Sequence, residues 1–563
     1  MQLPRPTFPL IIIGLDGATF DILDLLFSRG ELPTLRRLAE GMRTELHSTI
    51  PPATLPAWTS FLTAANPGRH GVVDIFVRPP REYGLLPASG SLRTEATFLR
   101  HLSDAGLQVA ALGVPGTHPP EPINGVCIAG FDAPGVNRAA PSAYWPKELY
   151  RDVEHLGGWH YATFNEHQSG MGQIDHAIAA LEEDIARKEH IALTLFKRRP
   201  WDVFFLHLQA SDTVGHHFWQ TFDPNSPRRP SDYAGFDAVS RIYQRLDALI
   251  GRLLQSAPKN HRVLVVSDHG MGGASNTAVY LNRWLEQHGW LKFVQSPKRW
   301  ARRAVGKSVH HVLKNLPPSL LGAATRHVPT PLAKSTLSLM RGVSVDYRRT
   351  LAYSDELDYA PSIWLNRRGV FPDGILSDSE AETLATNIRQ QLLQLVDPDT
   401  QESLVKAVYR RDEVMPGAHL ERAPDLIVEP AWPKGYRPSF LPSTGPGTVV
   451  GHLDPKALGA AKGHGMPGVH RREGVFIASG PDIAHMELPV MHIGEAGATV
   501  YALLGLAPPA GLEYAVPEFV ATHLKVQHNP EIYKLYRETS QTDLAQPQTL
   551  AIVQRLRALG YVD

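Results

Sequence analysis

The chain has 563 residues, and its 56 lysines and arginines balance 56 aspartates and glutamates, so the formal net charge is zero. Hydrophobic residues make up 43% of the chain and charged residues 20%, which excludes a largely disordered protein. The single cysteine, Cys127, excludes an internal disulfide framework and a zinc site built from cysteines. The 26 histidines leave His, Asp and Glu as the ligands of any metal ion.

Neither the charge nor the hydropathy points to a nucleic acid or to the interior of a membrane. A balanced net charge gives no reason to expect a nucleic-acid partner. The apolar run Phe8–Leu15 is short and leads directly into Asp16. No run approaches the roughly 18 apolar residues of a membrane span. We therefore expect a soluble, cytoplasmic protein.

Short, continuous apolar runs recur along the chain and indicate buried strands of a parallel sheet. They are Leu10–Leu15, Val109–Leu112, Val203–Leu208, Val263–Val266 and Val475–Ala478. Helical patterns lie between them, as in Ile178–Phe196 and Tyr233–Leu254. Strands that alternate with helices predict an α/β fold, with a doubly wound, mostly parallel sheet and helices on both faces.

The alternation of strands and helices is interrupted between residues 286 and 430. This stretch contains a basic segment and a helical pattern, Ser379–Leu395, but no strand followed by Asp or His. We interpret residues 286–430 as a cap inserted into a core of residues 1–285 and 431–530. Residues 531–563 are predicted to form a C-terminal helical tail.

Polar side chains follow three of the predicted strands, where an open α/β sheet binds its ligands. They are, in chain order, Asp16, the pair Asp212 and His216, and the pair Asp268 and His269. A single helical turn or loop can present Asp212 and His216 to one ion. A turn of the chain at Gly270 can place Asp268 and His269 together at one edge of the sheet. With Thr54 and a late histidine, these residues predict two adjacent metal sites. Mixed His and Asp ligation suits zinc, manganese or iron, and two such ions about 3.5–4 Å apart clamp a phosphoryl group.

Six short motifs together carry a family resemblance, and they span nearly the whole chain apart from the cap and the tail. They are Gly14-Leu-Asp-Gly17, Pro51-Pro-Ala-Thr-Leu-Pro-Ala-Trp-Thr-Ser60, Asn66-Pro-Gly-Arg-His-Gly71, Ser211-Asp-Thr-Val-Gly-His216, Ser267-Asp-His-Gly-Met271 and Gly468-Val-His-Arg-Arg-Glu-Gly474. Through them the sequence resembles the alkaline phosphatase superfamily. Within it, the sequence is most similar to the type I phosphodiesterase/nucleotide pyrophosphatase-like branch, with its phosphohydrolase and phosphomutase-like members.

The resemblance implies an alkaline-phosphatase-like core and two divalent metal ions, with zinc favoured and manganese or iron as alternatives. It implies that the ligands of one ion are Asp16, Thr54, Asp268 and His269. It implies that the ligands of the other ion are Asp212, His216 and a third histidine.

Thr54 is then the implied nucleophile. A threonine hydroxyl is a weak nucleophile at neutral pH and needs a metal to stabilise its alkoxide. Pro56-Ala57-Trp58 indicates the start of a helix, whose first backbone N–H groups would face a phosphate oxygen. The implied mechanism is a covalent phospho-threonine that water then hydrolyses.

Two histidines compete for the seventh ligand position. His470 lies shortly before the predicted strand Val475–Ala478, whereas His464 lies in the glycine-rich Lys462-Gly-His464-Gly-Met. We favour His470 because a short connection to a buried strand fixes a ligand better than a glycine-rich loop does. His464 is the alternative.

The expected substrate is a phosphate mono- or diester of a small molecule or a lipid-like compound. Nucleotide pyrophosphatases carry an asparagine donor shortly after the His-Gly of the third motif, but here His70-Gly-Val-Val-Asp74 continues into Ile75 and Phe76. This departure speaks against a nucleotide diester. The alternatives are a phosphomutase or phosphotransferase with the same Thr54 intermediate, and a non-catalytic member that binds an anion or a lipid.

The basic segment of the predicted cap has two interpretations. Residues 292–341 contain ten lysines and arginines and no acidic residue, and apolar residues recur at helical spacing from Ala301 to Leu316. The charges of this amphipathic helix are either only solvated, or they contact an anion at the mouth of the site or an acidic membrane surface. Near anionic lipid each basic side chain contributes about 1 kcal/mol, so peripheral membrane contact is one expectation.

Overall fold

The computed structural model describes residues 6, 8–135, 138–161, 174–231, 233–294, 345–443, 445–453 and 465–524. The strands of these ranges are β1 (Leu10–Leu15), β2 (Met42–His47), β3 (Phe76–Val77), β4 (Leu86–Pro87), β5 (Val109–Val114), β6 (Gly125–Ala129), β7 (Tyr144–Trp145), β8 (Val203–Leu208), β9 (Arg262–Val266), β10 (Gly270–Val279), β11 (Ala352–Tyr353), β12 (Ser362–Leu365), β13 (Val405–Arg410), β14 (Leu426–Pro430), β15 (Arg437–Phe440), β16 (Val450–His452), β17 (Gly468–Arg471), β18 (Glu473–Ser479), β19 (Met486–Glu487) and β20 (Met491–His492). The α-helices are α1 (Phe20–Ser28), α2 (Pro33–Leu38), α3 (Thr54–Thr63), α4 (Pro67–His70), α5 (Phe98–Asp104), α6 (Leu149–His155), α7 (Ile174–Phe196), α8 (Ala210–Phe222), α9 (Ala238–Gln255), α10 (Leu281–Gln287), α11 (Asp378–Leu392), α12 (Arg411–Val414), α13 (Ile493–Leu503) and α14 (Glu518–Leu524).

The large sheet contains the strands that the apolar runs predict. Its strand order is β19-β2-β18-β9-β1-β8-β5-β6-β7, with β20 beside β2. Strand β1 pairs in parallel with both β8 and β9, and β5 pairs in parallel with both β8 and β6. Strand β18 is antiparallel to its neighbours β9 and β2. The predicted α/β fold with a mostly parallel sheet is therefore confirmed.

Both faces of the large sheet are covered, because successive side chains of a strand point to opposite faces. In β1, Ile11 and Ile13 pack in one hydrophobic cluster with α1, α7 and α9. Leu10 and Ile12 pack in a second cluster with α3, α5 and α13. Every residue of β1 is buried, which is why this strand reads as a continuous apolar run in the sequence.

A smaller sheet lies in the region that the sequence analysis interprets as a cap. Its strand order is β11-β12-β14-β13, and all its pairings are antiparallel. Helix α11 follows Ser377, whose hydroxyl accepts a hydrogen bond from the N–H of Glu380 in a capping box. A third hydrophobic cluster joins this helix and sheet to α10 and β10. The boundaries of the cap stay a prediction.

The bend that follows β9 lies earlier than the turn expected at Gly270. Residue Gly270 is already the first residue of β10, which runs antiparallel to β17. The chain bends within Ser267-Asp268-His269, where the hydroxyl of Ser267 donates to the carbonyl oxygen of His269 (2.6 Å). In the β10–β17 ladder His470 lies opposite Met271, which brings it next to this bend.

Several sequence-based interpretations concern residues outside the described ranges. They are His464, residues 295–341 of the basic segment and the tail of residues 531–563. These interpretations stay predictions. Within the described ranges, no helix has the length and apolar character needed to cross a membrane.

Gly497 provides a test of the packing that supports α3. A Cβ atom at this position of α13 would lie 2.1 Å from the carbonyl oxygen of Phe61 in α3. Gly497→Ala should therefore lower the free energy of unfolding by about 1–3 kcal/mol, because one backbone must shift.

The matched control is Gly84→Ala, since nothing lies within 4 Å of a Cβ atom built at Gly84. Its effect should stay within about 0.5 kcal/mol. Denaturant titration measures both variants, and equal effects would contradict the close approach of α13 to α3.

Candidate active site

The first cluster of site residues surrounds the imidazole of His269. Its Nε2 atom lies 3.0 Å from Oγ1 of Thr54, 3.2 Å from Oδ2 of Asp268 and 3.6 Å from Oδ1 of Asp16. All four side chains are fully buried. One ring nitrogen carries at most one proton, so it satisfies only one of these three oxygens.

The second cluster surrounds the carboxylate of Asp212. Its Oδ1 atom lies 3.2 Å from Nε2 of His216 and 3.4 Å from Nε2 of His470. The two ring nitrogens are 2.8 Å apart. Helix α8 carries Asp212 and His216 one turn apart on the same face, as the spacing predicted. The rings of His269 and His470 stack with centroids 3.6 Å apart, so the two clusters are contiguous.

All seven residues that the sequence analysis favours are therefore close together. They are Asp16, Thr54, Asp212, His216, Asp268, His269 and His470. Potential ligand atoms of Asp16, Asp268 and His269 lie within 4.8 Å of one another, as do those of Asp212, His269 and His470. His269 thus lies between the two clusters, and the division of ligands between two ions stays a prediction.

Backbone carbonyl groups fix the orientation of the three histidines. The Nδ1 atoms donate hydrogen bonds from His216 to Gly468 (2.8 Å), from His470 to Pro52 (2.7 Å) and from His269 to Gly270 (3.1 Å). When the proton of a neutral ring is held at Nδ1, the lone pair is at Nε2. All three rings therefore turn a potential metal-binding nitrogen toward the carboxylates.

The carboxylates are also partly committed to hydrogen bonds. Oδ2 of Asp16 accepts from Nε2 of His207 (2.8 Å) and from Nε1 of Trp58 (3.2 Å). Oδ1 of Asp268 accepts from a backbone N–H (3.4 Å). Among the described residues, no donor of good geometry reaches Oδ1 of Asp16, Oδ2 of Asp268 or either oxygen of Asp212. Buried carboxylate oxygens of this kind need a cation or a proton to neutralise them.

Burial and like charge shift the pKa values of the site. Burial raises the pKa of Asp268 well above its usual range, and the charges of Asp16 and Asp212 raise it further. Burial lowers the pKa of His269 to about 3. Burial acts in the same direction on His216, but the carboxylate of Asp212 outweighs it and raises the pKa of that ring. His269 is thus held neutral, as a metal ligand must be.

The geometry and the donor set fit divalent metal ions. Ligand atoms about 2.0–2.2 Å from a tetrahedral zinc ion lie roughly 3.3 Å from one another. The nitrogen and oxygen atoms of the two clusters are separated by 2.8 to 3.6 Å. Three imidazoles and three buried carboxylates form a donor set that suits zinc, manganese or iron.

Helix α3 presents Thr54 as its first residue. The helix begins after Ala53, whose backbone is extended with φ −120°. Pro56 lies in the first turn, where its missing N–H costs no helical hydrogen bond, so the predicted helix start is confirmed. The positive end of the helix dipole therefore lies beside the hydroxyl of Thr54, where an anion is favoured.

Sequence reasoning missed two residues that position Asp16. His207 lies inside the apolar run of β8, and Trp58 lies in α3; both are buried. A lone histidine in an apolar strand is also compatible with an ordinary core position, so this signal was weak. Both side chains donate to the same oxygen of Asp16, which leaves the other oxygen directed at His269.

The residues after Gly71 are those compared above with the asparagine of the nucleotide pyrophosphatases. Ile75 and Phe76 are core residues, 1% and 3% exposed. The carboxylate of Asp74 accepts from the hydroxyl of Tyr359 (2.7 Å), and burial raises the pKa of Asp74 to about 7. The residues that differ from the nucleotide pyrophosphatase motif therefore pack in the core.

A cleft of about 570 Å³ opens beside His470. One wall includes Pro51 and Pro52, which precede helix α3, and the opposite wall is formed by β13 and β14 of the smaller sheet. Pockets for small organic ligands have volumes of about 300–1,000 Å³. This cleft is the candidate substrate-binding region.

Comparison with known proteins identifies the family. Residues 10–436 match the family described as type I phosphodiesterase / nucleotide pyrophosphatase. Phosphonoacetate hydrolase from Sinorhizobium meliloti 1021, solved in complex with phosphonoformate, is 16% identical, with a TM-score of 0.51 over 88% of this chain and 95% of that chain. Human ectonucleotide pyrophosphatase / phosphodiesterase 5 is 14% identical, with a TM-score of 0.45 over 92% of this chain and 99% of that chain. No curated protein sequence matches the chain.

The fold is an α/β fold with a mostly parallel central sheet, similar to that of phosphonoacetate hydrolase. Because the family match covers well over half of its length, the chain belongs to the type I phosphodiesterase / nucleotide pyrophosphatase family. It is therefore an enzyme of the phosphoric ester hydrolase type. The similarity to phosphonoacetate hydrolase supports the fold alone.

Asp268→Asn should raise the melting temperature of the metal-free protein by about 1 °C for each kcal/mol of repulsion that it relieves, while weakening metal binding. A neutral amide removes the repulsion from Asp16 and Asp212. A carboxyl group whose pKa is raised by folding destabilises the fold once the pH exceeds its unfolded pKa. The gain should therefore be present at about pH 8 and vanish as the pH falls to about 4.

The matched control is Asp247→Asn, because burial also raises the pKa of Asp247 but its two oxygens accept from the N–H groups of Leu35 (2.7 Å) and Thr34 (3.1 Å). An asparagine keeps only one accepting oxygen, so one of these hydrogen bonds is lost. This variant should melt at a lower temperature. Differential scanning calorimetry of the chelator-treated proteins measures both changes. A lower melting temperature for metal-free Asp268→Asn at pH 8 would contradict the proposed repulsion.

Proposed function

We propose that the protein is a two-metal phosphohydrolase that cleaves phosphate mono- or diesters through a covalent phospho-threonine at Thr54. One observation carries this proposal. Three histidines, each with Nδ1 bonded to a carbonyl group, direct Nε2 toward buried carboxylate oxygens beside the hydroxyl of Thr54. This arrangement supports metal-assisted phosphoryl transfer.

The proposed ligands of one ion are Asp16, Thr54, Asp268 and His269, and those of the other are Asp212, His216 and His470. When bound, the ions act as Lewis acids that stabilise the alkoxide of Thr54 and the negative charge of the transferring phosphoryl group. The mixed donor set favours zinc, with manganese and iron as alternatives.

The chain supplies the nucleophile and its positioning. Oγ1 of Thr54 forms a bond to phosphorus as the ester P–O bond breaks, and the hydroxyl proton passes through solvent to the departing alcohol. The N-terminus of α3 orients the phosphoryl oxygens. His207 and Trp58 hold the carboxylate of Asp16 in place. Water then cleaves the bond between Oγ1 and phosphorus, which restores the threonine and releases the phosphoryl product.

The cleft beside His470 supports an ester with a sizeable organic part, such as a phosphorylated small molecule or a lipid-like compound. The core position of Ile75 speaks against a nucleotide diester, because no donor replaces the asparagine there. A cytoplasmic location and membrane contact through residues 292–341 are further proposals that follow from the sequence.

Thr54→Ala should lower kcat for bis(p-nitrophenyl) phosphate by about 10³-fold or more, because no hydroxyl remains to attack phosphorus. Thr54→Ser is the matched control, since it keeps a hydroxyl at the same atom position, and it should retain measurable turnover. The melting temperature should stay near the wild-type value in both variants. The metal content should change little, because Asp16, Asp268 and His269 remain as proposed ligands of the same ion. Acid quenching and peptide mass spectrometry should detect phosphate on Thr54. Turnover at the wild-type rate by Thr54→Ala would end the covalent mechanism.

Metal analysis distinguishes the two candidates for the seventh ligand. The wild-type protein should bind two equivalents of zinc, and chelation should abolish activity. His470→Ala should retain about one equivalent, because it leaves that ion with only Asp212 and His216 of its three proposed ligands. His464→Ala is the comparison variant and should retain both. Loss of zinc from His464→Ala alone would make His464 the ligand, and a wild-type protein without bound zinc, manganese or iron would refute the metal sites.

A further inference from the structure

The cleft beside His470 contains one basic side chain that is not neutralised. Among the lining residues, Lys406 pairs with Glu429 (2.8 Å), Arg437 pairs with Asp358 (2.6 Å), and Arg471 pairs with Asp21 and Glu473. No carboxylate of the described ranges forms an ion pair with Arg472, whose buried Nε atom also lacks a hydrogen-bond partner there. The guanidinium of Arg472 is thus available to an anion from outside the chain.

The backbone fixes Arg472 in place. Its carbonyl oxygen accepts from the N–H of Ser48 (2.9 Å) and from that of Gly474 (3.1 Å). The residue joins β17 to β18 and follows His470 by two positions, and both residues line the cleft. Two residues of extended chain span roughly 6.6 Å. A small organic group can bridge a phosphoryl group near His470 and an anion at Arg472.

The charge of Arg472 acts on the residues around it. The pKa of His492 falls to about 4, first because of burial and then because of the positive charge of Arg472. Burial and then the charge of Arg472 also lower the pKa of His47. Both histidines are therefore held neutral, and neither competes with Arg472 for an anion.

The other walls of the cleft are largely apolar. They include Val405 in β13, Val428 in β14 and Trp432 just after β14. Such walls suit a hydrocarbon or ring, whereas a guanidinium binds carboxylate or phosphate through two parallel hydrogen bonds. The cleft thus combines an apolar wall with a single available anion-binding side chain.

We propose that Arg472 binds a second anionic group of the substrate, a carboxylate or a phosphate, so that the preferred substrates are phosphoric esters whose organic part carries its own negative charge. This inference rests on the proposed function, because it takes the metal site beside His470 as the position of the reacting phosphorus. Arg472 acts here as a specificity-determining residue.

Calorimetry on the zinc-loaded Thr54→Ala protein tests the inference without turnover. The probes are propylphosphonate, phosphonopropionate and ethylenediphosphonate, which share a phosphonate and differ in the second group. At least one of the two doubly anionic probes should bind about tenfold or more tightly than propylphosphonate. The probe with the larger gain identifies the second group as carboxylate or phosphate.

Arg472→Gln, added to the Thr54→Ala protein, should reduce this affinity ratio to near one, and Arg472→Lys should give an intermediate ratio. Lys406→Gln is the matched control, because Lys406 lines the same cleft but already pairs with Glu429. It should leave the ratio unchanged. Melting temperatures show whether each variant is folded.

Two results would overturn the inference. One is equal affinity for all three probes, and the other is a preference that persists in both Arg472→Gln and Arg472→Lys. Neither result affects the proposed function, which fails separately if the intact enzyme hydrolyses neither p-nitrophenyl phosphate nor bis(p-nitrophenyl) phosphate. Probe binding that depends on Arg472 in an enzyme without turnover would keep the anion site and reject the hydrolysis.

Discussion

The burial of three carboxylates at one point of the sheet is the constraint on which the rest of the site depends. Asp16, Asp212 and Asp268 are fully buried, and each keeps at least one oxygen that no well-placed donor of the described ranges reaches. Like charges held together away from water destabilise a fold unless a cation or a proton neutralises them. The surrounding hydrogen bonds do not remove the repulsion between the carboxylates. They orient the carboxylates and the imidazoles instead, so the metal-free protein is less stable but its binding site is already formed.

Sheet topology explains how residues so distant in sequence meet. Strand β1 lies between β8 and β9, and all three run in the same direction. Their carboxyl ends therefore lie side by side, and the residues that follow them supply Asp16, Asp212 and Asp268. His470 reaches the same point by another route, because β17 pairs with β10, the strand that continues from the bend after β9. Thr54 is positioned by α3, which packs on the sheet in the same hydrophobic cluster as α5 and α13.

The central sheet was predictable because its strands are buried on both faces and read as continuous apolar runs. Leu10–Leu15 and Val203–Leu208 were predicted with the bounds that the structure has. The smaller sheet was not, since only two of the six residues of β13 are buried and the strand gives a weak signal. The support of Asp16 by His207 was also hidden, because sequence does not show which way a strand side chain points. Carbonyl partners of the histidines have no sequence signal at all.

The residues proposed to react and part of the wall of the cleft belong to different parts of the fold. The proposed metal ligands and Thr54 belong to the ends of core strands and to core helices, whose positions are fixed by the packing on both faces of the sheet. The wall that faces the organic part of a substrate comes from β13 and β14, which belong to a different hydrophobic cluster. Residues of that wall can change without moving the strands that carry the aspartates. Arg472 lies on the core side of the cleft, close to His470 in sequence, so an anion bound there would have a fixed distance to the cluster of carboxylates and histidines. Under the proposed role of Arg472, the enzyme selects a substrate by the length and charge of its organic part, independently of the phosphoryl group that reacts.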